Sequence, residues 1–207
     1  MAIQAVLTAD IVNSTKLNAA KDKKLTNALT DLFSGDKIEF FRGDSFQAYI
    51  KNPQQALRLA LLARVSAIRL FKDEGIVLSD IRISIGIGKV NTPVRSLKTA
   101  KGEAFILSGR QFDAISKSHQ RLAITSANAL ANEGLQVIAT YINAIFDMMT
   151  GKQAEVIAEL LKGETQKAVA KKFKKTKSTI HQRITAGRWG EIEALLQHYE
   201  NIINQIV

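Results

Sequence analysis

The sequence predicts an α+β fold, a sheet with helices packed on it over the first part of the chain, followed by a unit built only of helices. Three observations carry this. Strand and helix patterns interleave as β, α, ββ, α, β, α, β as far as Thr125, and from Asn128 onward only helical patterns remain. Ile81, Ile83, Ile85 and Ile87 alternate strictly with Arg82, Ser84, Gly86 and Gly88, the period-two mark of a strand with one face in a core. Between Lys162 and Arg188 the basic residues Lys162, Lys167, Lys171, Lys172, Lys174, Lys175, Lys177, Arg183 and Arg188 stand against the single acid Glu164, so the last quarter has a character of its own. The expected division is 1–130 for the mixed unit, 131–150 for a connecting helix and 151–207 for the helical unit.

Residues 3–11 form an apolar run short enough for a buried strand, and Asn13, Ser14 and Thr15 end it with side chains that cap helices. A helix from Asp22 to Phe33 is expected next, closed by Gly35. Ile38–Phe41 and Phe46–Ile50 read as two strands of a hairpin joined by Arg42-Gly43-Asp44-Ser45, which places Asp44 at the turn. Asn52-Pro53 opens a helix whose apolar positions recur at helical spacing to Leu70, before Gly75. The isoleucine strand follows, and its glycine-rich face leaves room for a helix, a ligand or a second subunit against the backbone. Asn91–Lys101 is a loop, Glu103–Ser116 a helix, and Arg121–Thr125 a last strand.

With 207 residues and 46% hydrophobic composition the chain has enough apolar surface for a sizeable core. No cysteine occurs, which excludes disulfides and thiolate metal sites. An early acid, Asp10, and the lack of a basic leader argue against a signal peptide, and no apolar run has membrane-spanning length, so the expectation is a soluble cytoplasmic protein that does not engage a membrane. The net charge of +10 favours polyanionic partners. His119, His181 and His198 are scattered without metal-ligand spacing or the setting of a catalytic triad, and no Walker-type glycine loop is present.

The chemistry centres on two acids. Asp10 ends an apolar strand and Asp44 sits in a Gly-Asp turn, and a carboxylate at a strand end costs folding energy unless it is solvated, hydrogen-bonded or holding a cation. Singly, Asp10 reads as a helix cap and Gly43-Asp44 as an ordinary turn; together they point to a hard divalent ion, Mg²⁺ or Mn²⁺, and to phosphate handling. Asn13, Ser14, Thr15 and Lys16 stand at an expected helix start, where free N–H groups favour either a phosphate or plain capping.

Strand, acid, helix and then a Gly-Asp hairpin resembles the catalytic core of the class III nucleotidyl cyclases, a ferredoxin-like palm, over roughly residues 3–127. Arg82-Ile83-Ser84-Ile85-Gly86-Ile87-Gly88 is similar to that family's Arg-Ile-Gly-Ile-His-Thr-Gly strand, and Gly102-Glu103-Ala104-Phe105-Ile106-Leu107-Ser108-Gly109-Arg110 to its Gly-Glu-Ala-Val-Asn-Leu-Ala-Ala-Arg helix. The resemblance implies that Asp10, the backbone of Ile11 and Asp44 hold the metals, that Arg110 meets the triphosphate in the transition state, and that the active unit is a homodimer sharing its sites. Ile106 replaces the family's ribose-orienting asparagine and Phe40 its purine-reading lysine, so the resemblance implies nucleotide binding or another phosphoryl chemistry more than efficient cyclisation.

In the tail, Gln153–Leu161, Thr165–Phe173 and Ser178–Ala186 are three short amphipathic helices, and the second and third, linked by Lys174-Lys175-Thr176-Lys177, resemble a helix-turn-helix. Ala170 allows a close crossing, Val169, Phe173, Ile180 and Ile184 fill the space between, and Ser178 is the expected cap. The resemblance places Ser178, Thr179, His181, Gln182 and Arg183 near base edges of double-stranded DNA and Lys171, Lys172, Lys174, Lys175 and Lys177 near phosphates. A lysine-rich face of an ordinary bundle is the competing reading. Lys174 falls where glycine usually supplies a left-handed turn. Glu191–Val207 adds a helix with a wide apolar stripe, for core packing or dimerisation, and Trp189 before it is a core anchor. The whole order resembles the SatD-type bacterial proteins, and the expected function is a regulator coupling a nucleotide site to DNA, with an active cyclase or nucleotidyltransferase and a degenerate interaction fold as alternatives.

Overall fold

The computed structural model describes residues 2–41, 43–74 and 78–207. Arg42 and Gly75 of the sequence reading lie outside that set. Five strands, β1 (Ile3–Val12), β2 (Lys37–Phe41), β3 (Ser45–Ile50), β4 (Asp80–Lys89) and β5 (Leu122–Ser126), form one sheet in the order β2-β3-β1-β4-β5. The first four are antiparallel to their neighbours, and only β4 and β5 run parallel. With α1 (Ala19–Leu32) after β1 and α2 (Ala56–Ile68) before β4, the β-α-β-β-α-β order and antiparallel pairing are those of a ferredoxin-like unit. α3 (Glu103–Ser116) is the crossover that lets β5 join β4 in parallel.

The alternation in β4 decides which helix lies where. Ile81, Ile83, Ile85 and Ile87 are buried in the main core with Leu7, Leu25, Leu29, Leu57 and Leu61. The opposite face receives α3, so of the three occupants expected for the glycine face the structure has the helix. A Cβ on Gly86 would lie 2.3 Å from the carbonyl oxygen of Ala104 and 2.5 Å from the amide of Ser108.

α1 starts earlier than expected, at Ala19, because Asn18 accepts a hydrogen bond from the Lys21 amide and caps it. Ser14–Lys16 form only a single 3-10 turn, entered through a left-handed Asn13 (φ 57°). Residues 13–16 are therefore not a helix N-terminus, and the dipole argument for a phosphate there does not apply.

α4 (Ala129–Asp147) runs along β5, where Asn143 accepts from the amides of Arg121 and Leu122 and donates to the Leu122 carbonyl, closing the sheet edge. α5 (Gly151–Leu161), α6 (Gln166–Phe173), α7 (Lys177–Ala186) and α8 (Trp189–Ile206) follow. Their apolar faces belong to the same hydrophobic cluster as the sheet, through Val156, Ile157, Leu160, Leu196 and Ile203. α5 packs on α2, and the buried Tyr199 of α8 donates to the Pro53 carbonyl at 2.8 Å. Trp189 is half-buried against this cluster. Among the described residues no helix is long and apolar enough to cross a membrane.

Candidate functional site

The carboxylate pair is assembled by strand register. β1 sets Asp10 opposite Ser45 on β3 and opposite Arg82 on β4, and the Ile11 amide donates to the Asp44 carbonyl at 2.9 Å. Asp10 near the end of β1 and Asp44 in the turn just before β3 thus stand side by side at one end of the sheet. On the far side of Arg82, the Arg121 carbonyl accepts from the Ile83 amide at 2.8 Å, so two acids and two arginines form a row across the strand ends.

Asp10 uses one oxygen. Its Oδ2 accepts from Nη1 of Arg82 at 3.0 Å, while Oδ1 is buried with no hydrogen-bond partner among the described residues. Nε of Arg82 is likewise buried and unmatched. Asp44 is better served, accepting from the Ser14 hydroxyl at 3.0 Å and the Ser45 hydroxyl at 3.3 Å. Burial pushes the Asp10 carboxyl above its ordinary range; Arg82 opposes this, the neighbouring charge of Asp44 adds to it, and Arg121 opposes it. An ionised, half-buried Asp10 with a bare oxygen beside a second carboxylate is a setting that a cation relieves.

The residues fit a hard ion. Asp10, Asp44 and the backbone at Ile11 offer only oxygen, and no group of three or more His, Cys, Asp or Glu gathers among the described residues. Of the loop residues, Ser14 bonds Asp44 and Asn13 donates to the Leu78 carbonyl at 2.9 Å, while Thr15 and Lys16 are exposed. Arg110 is exposed on α3, one turn after Ile106 (53% exposed), and is not among the charges that act on Asp10.

Sequence reasoning missed Arg82 and Arg121 as neighbours of the site. Arg82 was visible as a charge in the isoleucine strand, but its pairing with Asp10 depends on the β1–β4 register.

In the tail, Thr165 caps α6, and Thr176, not Ser178, caps α7 by accepting from the Thr179 amide at 3.1 Å. Lys174 adopts the left-handed conformation at φ 51°, as its place in the turn anticipates. Lys171, Lys172, Lys174, Lys175, Lys177, Ser178, His181 and Gln182 are exposed, whereas Thr179 is half-buried and bonds Thr176. Arg183 faces α5, 3.7 Å from Glu155, with a fifth of its side chain exposed. Lys172 and Lys162 both bond Glu159 of α5: burial alone would raise that carboxyl, but the two lysines outweigh it and hold it below the usual range.

Two solved structures, each of a bacterial light-regulated adenylyl cyclase, are similar to this chain. One is 20% identical with a TM-score of 0.42, covering 59% of this chain and 75% of that one. The other is 20% identical with a TM-score of 0.41, covering 59% of this chain and 43% of that one. No family model matches the sequence, and no curated protein matches it. Strand order and register define the fold described above.

Proposed function

We propose that this chain is a regulator of SatD-type architecture, in which a class III cyclase-like core binds a nucleoside triphosphate with Mg²⁺ or Mn²⁺, and a C-terminal helix-turn-helix, α6 and α7, binds double-stranded DNA. The observation that carries it is the meeting of Asp10 on β1 with Asp44 in the turn before β3, with one Asp10 oxygen buried and bare. A metal held there by Asp10, Asp44 and the Ile11 backbone would supply positive charge against the phosphates of a bound nucleotide. The chain's own residues do the rest: Ser14 and Ser45 orient Asp44, and Arg82 holds Asp10 by one oxygen and leaves the other for the ion. The exposed lysines of α6 and the turn supply phosphate contacts, and Ser178, His181 and Gln182 form the outer face of α7.

Calorimetry with each of the four ribonucleoside triphosphates and Mg²⁺ tests the core: binding of at least one, lost in Asp44→Ala, is expected, and Mg²⁺ alone binds weakly. A labelled duplex tests the tail, with affinity falling steeply as salt rises and changing when the triphosphate is added. A DNA affinity indifferent to nucleotide sinks the coupling.

A second reading, an active homodimeric cyclase or nucleotidyltransferase, is supported by Arg110, which is exposed on α3 and free to meet a phosphate. The exposed Leu130, Val137 and Tyr141 on one side of α4, with Met148 just past its end, support a second copy. Turnover of a triphosphate that disappears in both Asp44→Ala and Arg110→Ala selects this reading.

A further inference from the structure

Two cations of the basic tail are already engaged. The helix that engages them, α5, packs on both α6 and α7 and is fixed to the body of the molecule. Its first residue, Gly151, lies so close to the chain beyond the end of α2 that a Cβ there would stand 2.5 Å from the Lys72 Cα. Glu155 and Glu159 are one turn apart on α5 and share a face. Glu155 bonds Lys72 with one oxygen, and its other oxygen lies 3.7 Å from Nη1 of Arg183 on α7. Glu159 accepts from Lys162 at 3.1 Å on one oxygen and from Lys172 of α6 at 2.7 Å on the other. The two carboxylate side chains are only 16% and 4% exposed. By contrast Lys171, Lys174, Lys175 and Lys177 are exposed and form no ion pair among the described residues.

We propose that Glu155 and Glu159 form an electrostatic latch that withholds Arg183 and Lys172 from nucleic-acid phosphates and so restrains the affinity of α6 and α7 for DNA, an inference that rests on the DNA-binding reading above. A phosphate that takes either cation must displace a carboxylate already in place and leave that carboxylate, largely buried, short of a partner. Glu155 and Glu159 are thus positioning residues, which hold the two helices against α5 and touch no ligand themselves. Removing their charge strands no buried lysine, because Lys72, Lys162 and Lys172 are each roughly half exposed and can turn to water.

Fluorescence anisotropy of a labelled duplex of arbitrary sequence, titrated with the full chain over a range of salt, tests the latch. Glu155→Gln and Glu159→Gln should each bind about threefold or more tighter than wild type at low salt, with the slope of log affinity against log salt steeper by about one, the mark of one further cation on a phosphate. Glu164→Gln removes the same charge from an exposed acid that holds no cation among the described residues, and should leave the slope unchanged and the affinity within about twofold. Arg183→Gln by itself should change little, since the arginine is already withheld, but added to Glu155→Gln it should cancel the gain. The Arg183→Gln measurement decides the matter even if neither latch variant folds. The latch is overturned if Glu155→Gln and Glu159→Gln bind no tighter than wild type, if Glu164→Gln gains as much as they do, or if Arg183→Gln alone weakens binding and flattens the slope as a phosphate contact would. Wild type that binds no duplex at low salt removes the DNA reading and the latch together, whereas wild type that binds, with a slope that neither latch variant moves, removes the latch alone.

Discussion

Asp10 is the residue on which the chemistry turns, and its raised pKa has a definite sign. The folded chain holds this proton more tightly than the unfolded chain, so ionised Asp10 costs stability at neutral pH, and the cost is relieved as pH falls through the raised value. In the presence of a chelator, wild type should therefore gain Tm relative to Asp10→Asn on moving from neutral to mildly acidic pH. At neutral pH, added Mn²⁺ should raise the Tm of wild type and leave Asp10→Asn unmoved, with each kcal/mol worth about 2–4 °C for a chain of this length. A Tm difference between the two proteins that is flat with pH and blind to Mn²⁺ removes both the strained carboxylate and the ion. The acid itself could be picked out of the sequence because it interrupts an apolar strand. Its bare Oδ1 and its bond to Arg82 could not, because both follow from a pairing register between residues 72 positions apart.

Among the elements, α3 on the glycine face of β4 is the contact that local pattern anticipated and that a single methyl can test. Gly86→Ala places a Cβ against the backbone of Ala104 and Ser108, which cannot rotate away, so α3 must lift and about 1–3 kcal/mol or more should be lost. Gly109→Ala lies in the same helix with nothing within 4 Å, and there the gain in helix propensity should raise stability by up to about 1 kcal/mol. Urea unfolding of both variants checks the pair; equal effects would mean that α3 does not sit where it is described. The extent of α3, from Glu103 to about Ser116, was legible from sequence. The start of α1 and the cap of α7 were not. Asn18 and Thr176 compete with the nearby Asn13 and Ser178, which have the same capping chemistry, and only the backbone path selects between them.

For the molecule as a whole, the helices after Asn128 share one hydrophobic cluster with the sheet, and α5 and α8 lie against the α2 side of it. Unfolding is accordingly expected as a single transition, with Trp189 fluorescence in the tail and the far-ultraviolet signal of the whole chain coinciding. Tyr199→Phe should lower that transition by about 1 kcal/mol, because the 2.8 Å bond to the Pro53 carbonyl joins α8 to the turn before α2. Two separated transitions, with Trp189 melting first, would instead favour the division at residues 131–150.

The sequence by itself determined the order of strands and helices, the sheet face that each isoleucine takes, the pair of acids and the basic character of the tail, because periodicity, capping chemistry and charge are properties of neighbouring residues. Tertiary structure alone decided that Arg82 and Arg121 join the acids in one row and that Arg183 turns to Glu155. Those arrangements arise from register and packing between segments far apart in the chain, which no local pattern encodes.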